Sequence, residues 1–446
     1  MRDILLVAFF FMAIYYSFKK PYLGVSAWIW IALTAPTKWA FGFSTSLRMN
    51  FTIVIVTFIS YLFAFKDKKL SIGSIGFFII LFLIQCLIST LAQDTINSEN
   101  VTQDYIEHVK TALLFIFTAL ILRTKHQIIT FVWCIVLSIS SYAGMEAVKF
   151  LLSGGGHQIV GRAGIIIDRN DLAVAINMSL PLVFFLISVT ENKLVKKGLW
   201  FLAILNIVAV IGTYSRGGFI GLSIIAIAAW LKSDKKLIWA LLAFTLLPLL
   251  YHQTPEEWRE RQSTVSTAAT EDSSFIGRLW AWKISALIAL DDPLTGAGYK
   301  AVTDPMLWRY YAPYTPGFGP IETPEIPVNL APKAAHNIYM QVLGDHGFVG
   351  LLLFLIILAK CFLANRANQR KARIHQLPWL ENFCSALNVS IVGYCITGMN
   401  VSLAYFDLIY AVIGLVVVCN FILREISKQN TNNPSYVNTR QIAGSV

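Results

Sequence analysis

The most informative segment of the sequence is the junction Pro332-Lys-Ala-Ala-His336-Asn337-Ile-Tyr339-Met-Gln-Val-Leu-Gly344-Asp345-His346-Gly347-Phe-Val-Gly350. It ends the longest polar interval of the chain, about residues 251–335, and leads directly into an apolar run that continues to about 360. This run has the length of a membrane-spanning helix, because about 20 apolar residues are needed to cross about 30 Å of hydrocarbon. The sequence therefore places His336 where an external loop re-enters the bilayer.

The composition of the chain is that of an integral membrane protein. Of its 446 residues, 56% are hydrophobic and 14% are charged, with a mean hydropathy of +0.62, whereas soluble domains have about 25% charged residues. Spans within hydrocarbon must be helical, because lipid offers backbone groups no hydrogen-bond partner. We therefore expect an all-α, polytopic membrane protein with about 12–13 transmembrane helices and one large external loop that contains short helices. The spans are predicted near 4–18, 22–36, 51–65, 72–92, 109–122, 127–151, 170–190, 198–213, 217–231, 236–250, 337–360, 380–400 and 402–423.

The distribution of charge predicts how these helices are oriented. Alternate connections, together with the C-terminal tail, hold 21 of the 36 Lys and Arg residues but five of the 25 acidic ones. By the positive-inside rule these segments are cytoplasmic, which puts the N-terminus and the long loop on the outer face. Three further polar segments fall on that face: 154–162, 213–218 and His336. The net charge of +11 therefore follows membrane orientation and does not predict a nucleic-acid partner.

The long loop has features that a flexible linker lacks. Short helices are predicted at 255–262 and 275–290. The second helix carries a face suited to the membrane surface, made by Ile276, Leu279, Trp280 and Lys283. The aromatic side chains of 308–314 suit stacking on sugar rings, and they suit an aromatic belt at a membrane interface equally well. The polar stretch 94–107 is interpreted as a solvated hairpin without chemistry.

The chain is divided into five predicted parts. They are an N-terminal transmembrane region at 1–125, a transmembrane core at 126–250, the external loop at 251–336, the C-terminal helices at 337–425 and a cytoplasmic tail at 426–446 that is expected to be disordered. All six cysteines fall in or beside apolar runs. Neither a disulfide framework nor a thiolate metal cluster is therefore predicted.

Arg216 is the most informative charged residue. It lies in the Tyr-Ser-Arg-Gly-Gly turn at 214–218, at the outer edge of the hydrocarbon. An unpaired guanidinium is costly there and needs an anionic partner or a route to water. A snorkelling interfacial arginine explains the position alone equally well. Arg162 and Arg278 lie on the same face, and arginines that converge on one pocket suit a diphosphate, whose oxygens they bind in a bidentate way.

His336 is the candidate base. With a reference pKa near 6.5, it is the side chain on this face best able to take a proton from a hydroxyl at neutral pH. The alternative is a histidine that bonds only backbone at the entry of a helix. The following Asn337 is likewise typical of an ordinary helix N-cap. His157, His252 and His346 are weaker candidates on the same face.

Other polar residues have structural interpretations. The Asp-Arg-Asn-Asp sequence at 168–171 predicts a helix cap, although its carboxylates also suit the orientation of neighbouring arginines. Glu146 and Lys149, the ionisable residues nearest to the membrane midplane, are spaced to pair with each other. The sequence contains no phosphate loop, dinucleotide turn or zinc spacing. Neither a metal nor a cofactor is therefore predicted.

Three motifs occur in a fixed order around the long loop. Thr213-Tyr-Ser-Arg216-Gly-Gly comes first, Gly296-Ala-Gly298 follows, and Ala335-His336-Asn337-Ile-Tyr339 with Gly344, Gly347 and Gly350 comes last. This order resembles the O-antigen ligase superfamily: lipopolysaccharide O-antigen ligases, O-antigen polymerases and the bacterial O-oligosaccharyltransferases that glycosylate pilins. Residues 1–30 and beyond resemble the extra N-terminal region of exosortase-associated O-glycosylation ligases and of some pilin glycosyltransferases.

The resemblance implies a metal-independent glycosyltransferase of the bacterial inner membrane whose active site faces the periplasm. The donor is a glycan on undecaprenyl pyrophosphate. In the family, arginines at the positions of Arg216 and Arg278 hold the pyrophosphate, and the histidine at the position of His336 serves the acceptor, so these three are the predicted catalytic residues. The predicted substrate-binding residues are Arg162, Asn337, Tyr214, Ser215, Gly217, Tyr299 and Tyr339.

The acceptor is expected to be a protein Ser or Thr hydroxyl, as on a pilin, because the N-terminal segment resembles glycosylation ligases. Lipid A-core, as in lipopolysaccharide biosynthesis, and a growing glycan, as in a polymerase, are the alternatives. A transporter or lipid flippase is an alternative of another class, in which the loop is a lid and the arginines line a substrate path. Transporters usually place polar groups near the midplane, whereas the ionisable residues here concentrate at the outer rim.

Overall fold

The computed structural model describes residues 2–65, 72–92, 98–162, 164, 166–232, 236 and 273–432. These residues contain fourteen α-helices and no β-strand, which confirms the predicted all-α class. In chain order the helices are α1 (Arg2–Lys19), α2 (Pro21–Thr34), α3 (Met49–Ala64), α4 (Gly73–Leu91), α5 (Ser98–Ile121), α6 (Lys125–Leu152), α7 (Arg169–Val189), α8 (Lys193–Gly212), α9 (Arg216–Lys232), α10 (Ser273–Asp291), α11 (Pro305–Tyr311), α12 (Ile338–Ile374), α13 (Pro378–Thr397) and α14 (Asp407–Asn432).

Many of these helices are suited to a bilayer. By length and composition, α4, α6, α7, α8, α12 and α14 can cross a membrane, and the shorter α2, α3 and α9 are also apolar. Every predicted span corresponds to a helix except 236–250, which lies outside the described residues, as does the predicted short helix 255–262. Large apolar side chains face outwards, including Phe63 and Leu152 at 85% and 84% exposure, as expected of a surface that contacts lipid. The chain is a multi-pass membrane protein.

The bundle is built around α7. Its sequence is apolar on all sides, which is typical of a buried helix, and it packs against α6, α8, α9 and α13. The predicted cap at its start is confirmed: Asp168 accepts from Asn170 N, and the Asp171 side chain reaches back to Asp168 N. In its interior, Asn177 donates to the carbonyl oxygen of Gly218 at 2.9 Å. This bond satisfies a buried polar group and fixes the start of α9 against α7.

The interpretation of 94–107 as a solvated hairpin is wrong for its described part. Helix α5 begins at Ser98 and continues without interruption to Ile121, so the polar residues are the first turns of a long helix. Val101 and His108 on these turns are buried. Tertiary packing of this one face stabilises the helix despite its polar sequence.

The long loop is held against the bundle by an interruption in α12. Gly347 has φ 66° and ψ −167° inside this helix, a conformation that glycine adopts without a Cβ clash. The interruption lets Phe348 N donate to Pro293 O at 2.9 Å, while Ala297 N donates to Gly344 O at 3.1 Å. The Gly296-Ala-Gly298 motif therefore lets the backbone of the long loop pack directly against the backbone of α12.

Replacement of Gly296 by alanine is expected to destabilise the protein. Gly296 has φ +60°, and an added Cβ would lie 2.6 Å from Gly344 O and Gly347 N. We expect a loss of roughly 2–4 kcal/mol from the left-handed backbone and the overpacking together, seen as a lower melting temperature of the purified protein in detergent. Gly393→Ala is the matched control, because its added Cβ meets nothing within 4 Å. Equal melting temperatures for the two variants would contradict this view of the motif.

The predicted position of α10 on the membrane surface is corrected by the structure. The four side chains of the expected interfacial face are buried within the protein, each at 8% exposure or less: Ile276, Leu279, Trp280 and Lys283. The amphipathic pattern correctly predicted that this face of α10 is buried. It did not show that protein, and not the membrane surface, covers the face. Helix α10 packs on α12, and it forms a small separate core with Trp308 and Tyr311 of the same loop.

Candidate active site

The polar segments predicted to share one face meet at one end of the bundle. Tyr214 donates from its hydroxyl to Gly155 O at 2.6 Å, and Ile159 N donates to Gly212 O at 2.8 Å. These bonds join the 154–162 connection to the 213–218 turn. The basic connections meet at the opposite end, where the Lys125 ammonium lies 5.8 Å from the centre of the Trp379 ring.

The turn before α9 is tied to the start of α7. Ser215 Oγ donates to Asn170 Oδ1 at 2.7 Å and accepts from Gly218 N at 3.1 Å. Asn170 Nδ2 in turn donates to Asp168 Oδ1 at 2.6 Å. Since Ser215 is buried, this chain of bonds fixes the backbone from which Arg216 projects as the first residue of α9.

Asn400 lies between Arg278 and the start of α9. Its Oδ1 accepts from Arg278 Nη1 at 3.2 Å. On its other side it lies so close to Gly217 that an added Cβ there would be 2.9 Å from the Asn400 side chain. Arg278 on α10 and the residue next to Arg216 on α9 are thus brought to one side chain, although 62 positions separate the two arginines in the sequence.

His336 lies beside the same cluster. Its backbone is left-handed, with φ 44°, and its N donates to Ser402 Oγ at 3.0 Å. Burial holds the pKa of the His336 imidazole below its ordinary value, the Arg278 charge lowers it further, and the Asp168 carboxylate acts in the opposite direction. The imidazole is therefore neutral at pH 7 and able to accept a proton.

Three of the predicted substrate-binding residues form hydrogen bonds within the protein. Asn337 caps α12, accepting from Tyr339 N at 2.9 Å, and Tyr339 donates from its hydroxyl to Cys395 O at 2.8 Å. Tyr299 is buried, with its hydroxyl 2.6 Å from Nδ1 of His108. These side chains hold elements in place, and Tyr299 also lines a cavity beside α5.

Arg162 contacts the N-terminal region of the chain. Its guanidinium lies over the Trp39 ring, 4.8 Å from the ring centre, and it lines a cavity of about 610 Å³ together with Arg2 and Lys149. Arg216, Arg278 and His336 do not line this cavity. The predicted pairing of Lys149 with Glu146 is confirmed at 2.7 Å.

Two residues of the cluster were not expected from the sequence. Asn400 and Ser402 lie in the short connection between α13 and α14, where the sequence predicts only the ends of two spans. The signal available was the polar Asn-Val-Ser interruption between two apolar runs, which the alternation of basic connections predicts to lie at the same end of the bundle as His336.

Comparison with known proteins finds two family matches, one of which covers part of this site. Residues 201–355 match the O-antigen ligase family, and residues 1–192 match a family of unknown function, DUF5935. No curated protein matches the chain. The chain therefore carries an O-antigen ligase domain, which confirms the resemblance to the O-antigen ligase superfamily. This domain contains Arg216, Arg278 and His336, and the family supports a glycan-transferring ligase as the kind of function.

Proposed function

We propose that this protein transfers a glycan from undecaprenyl pyrophosphate to a hydroxyl of a protein Ser or Thr, as on a pilin, at the periplasmic face of the bacterial inner membrane. The observation that carries the proposal is the convergence of Arg278, His336 and the start of α9 around Asn400 and Ser402. The family match supports glycan transfer in general. The concentration of Lys and Arg in the opposite connections supports the orientation.

The proposed reaction is a direct displacement. The acceptor hydroxyl oxygen forms a bond to the anomeric carbon of the donor, and the bond from that carbon to the diphosphate oxygen breaks. The bonding electron pair leaves with the lipid diphosphate, whose charge Arg216 and Arg278 neutralise. The hydroxyl proton passes to the neutral imidazole of His336, which later releases it to water. Arginines, rather than a metal ion, are assigned to the leaving group.

The acceptor is tested by comparing cells with and without this protein. Mass spectra of pilin and a lipopolysaccharide gel are recorded from the same cultures. A glycan mass on pilin that is lost on deletion, with an unchanged lipopolysaccharide pattern, is the expected result. A lost O-antigen ladder with unmodified pilin would assign lipid A-core as the acceptor, and shortened chains would assign polymerisation. No difference in either sample would contradict the proposed function.

The pH dependence of transfer follows from the lowered pKa of His336. Transfer requires the neutral imidazole, so activity is complete above this pKa and is lost as the pH falls through it, at a pH below about 6.5. Removal of the Arg278 charge by Arg278→Gln raises the His336 pKa and moves this acid limb to higher pH. Asp168→Asn keeps a good N-cap residue, removes the carboxylate and moves the limb to lower pH. The dependence of kcat/KM on pH measures both shifts, and shifts in the same direction would rule out the assigned neighbours.

A further inference from the structure

A large cavity beside the candidate active site has no role in the proposed reaction. It has a volume of about 1020 Å³ and is walled by α2, α3, α5, the long loop and the first residues of α12 and α14. Arg216, Arg278 and His336 do not line it. Much of its wall belongs to residues 1–192, the region that matches a family of unknown function.

The cavity ends next to the proposed base. Ser402 lines it, and the hydroxyl of Ser402 accepts the hydrogen bond from His336 N at 3.0 Å. Gln341 lines it on the first turn of α12, directly after His336, and accepts from Ala404 N at 3.1 Å. A chain held in the cavity would therefore reach Ser402, one hydrogen bond from the backbone of His336.

The charges that the described residues bring to the cavity wall are balanced. They are three cations and three anions: Arg48, Lys110, Lys300, Asp104, Glu107 and Asp407. Two pairs are already formed, Lys300 with Asp104 at 2.8 Å and Lys110 with Glu107 at 2.6 Å. A phosphorylated acceptor such as lipid A-core would need an excess of cations to replace its hydration, and the part of the wall that the structure describes does not provide one.

Apolar side chains alternate with these polar groups. Val54 and Leu403 line the cavity, and Phe51 at its edge is 55% exposed. A polypeptide segment has both apolar side chains and backbone groups that form hydrogen bonds, so it matches such a mixed wall. A neutral glycan presents hydroxyl groups throughout and leaves the apolar parts of the wall without partners.

We propose that this cavity holds the polypeptide segment that carries the acceptor hydroxyl, and that the N-terminal region selects the acceptor. This inference rests on the proposed function, since it assigns the protein acceptor of that reaction to a place in the structure. The segment enters between α3 and α5, runs past Lys300 and Tyr299, and delivers its Ser or Thr hydroxyl beside Ser402 to His336.

The occupant is identified by photo-crosslinking in the full-length protein. p-Benzoylphenylalanine is placed at Val54, which lines the cavity, or at Ile55, which is 41% exposed on another face of α3 and does not line it. Cells that produce tagged pilin are irradiated in a His336→Asn background, so that the acceptor is held but not modified. A pilin adduct from position 54 and none from position 55 is expected. An adduct with lipopolysaccharide or with free glycan at position 54, or equal pilin adducts at both positions, would overturn the inference.

A matched pair of bulky variants tests the same point by kinetics. Val54→Trp places a bulky side chain in the cavity and is expected to raise the KM for pilin by about tenfold or more, with the KM for the lipid-linked donor unchanged. Ile55→Trp is expected to behave as wild type. If wild-type protein glycosylates pilin and Val54→Trp does so with an unchanged KM, the cavity assignment fails while the proposed function stands. If wild-type protein does not glycosylate pilin, the proposed function fails and the cavity assignment falls with it.

Discussion

Replacement of His336 by asparagine is expected to lower the rate of glycan transfer by about 10²–10⁴-fold, the usual contribution of a general base. Asparagine is the informative substitution because it tolerates the left-handed backbone that His336 adopts at φ 44°, whereas its amide takes up no proton at neutral pH. The folded protein and the hydrogen bond from backbone N to Ser402 Oγ are expected to persist. The loss therefore reports the chemistry of the imidazole and not the shape of the turn.

The measurement is the amount of glycosylated acceptor in cells that contain equal amounts of the variant in the membrane. His375→Asn is the control, because His375 lies at the opposite end of α12 beside Ser427, with Nε2 and Oγ 3.2 Å apart. We expect the control to transfer glycan at close to the wild-type rate. Transfer by His336→Asn at a rate similar to the control would exclude His336 as the base.

Replacement of Arg278 or Arg216 by alanine is expected to lower kcat by about 10²–10³-fold for each residue, since each removes one charge from the leaving diphosphate. Lysine at either position is expected to restore part of the rate, because an ammonium group keeps the charge but loses the bidentate geometry. The two losses are not expected to add, since both side chains are proposed to act on the same diphosphate.

Steady-state kinetics with the lipid-linked donor distinguish a role in departure of the diphosphate from a role in donor binding alone. An arginine that acts on the leaving group lowers kcat, whereas an arginine that only binds the donor raises KM. Arg373→Ala is the control, since Arg373 pairs with Glu381 at the opposite end of the bundle at 2.6 Å. A wild-type kcat for both Arg216→Ala and Arg278→Ala would remove these residues from the mechanism.

The sequence predicts most helices of this protein. It predicts only in part which of the polar motifs lie close together. The length of each apolar run sets the length of a span, and the alternation of basic connections decides at which end each connection lies. Ser215, Arg278 and His336 were placed at one end in this way. The structure bonds Ser215 to Asn170 at the start of α7, and it brings Arg278 and His336 to the connection between α13 and α14.

The remaining features depend on tertiary contacts that no local pattern contains. Asn400 and Ser402 acquire their roles because α13 ends beside α9 and α14 begins beside α12, which spacing along the chain does not show. The position of Arg162 follows from its contact with Trp39, a residue more than 100 positions earlier. The apolar spacing in α10 predicted that one of its faces is buried. The residues that cover this face belong to the long loop and include Trp308, which the spacing does not show.

We propose that Arg216, Arg278 and His336, near Asn400 and Ser402, promote cleavage of the bond between the glycan and the lipid diphosphate. The most direct test uses the purified full-length protein in liposomes with the undecaprenyl-pyrophosphate-linked glycan and pilin, and follows glycosylated pilin and free lipid diphosphate together by mass spectrometry. We expect both products to appear in equal amounts with wild-type protein, and neither to appear with the double variant His336→Asn, Arg278→Ala. Movement of intact donor across the liposome membrane without either product, or undiminished product formation by the double variant, would contradict it.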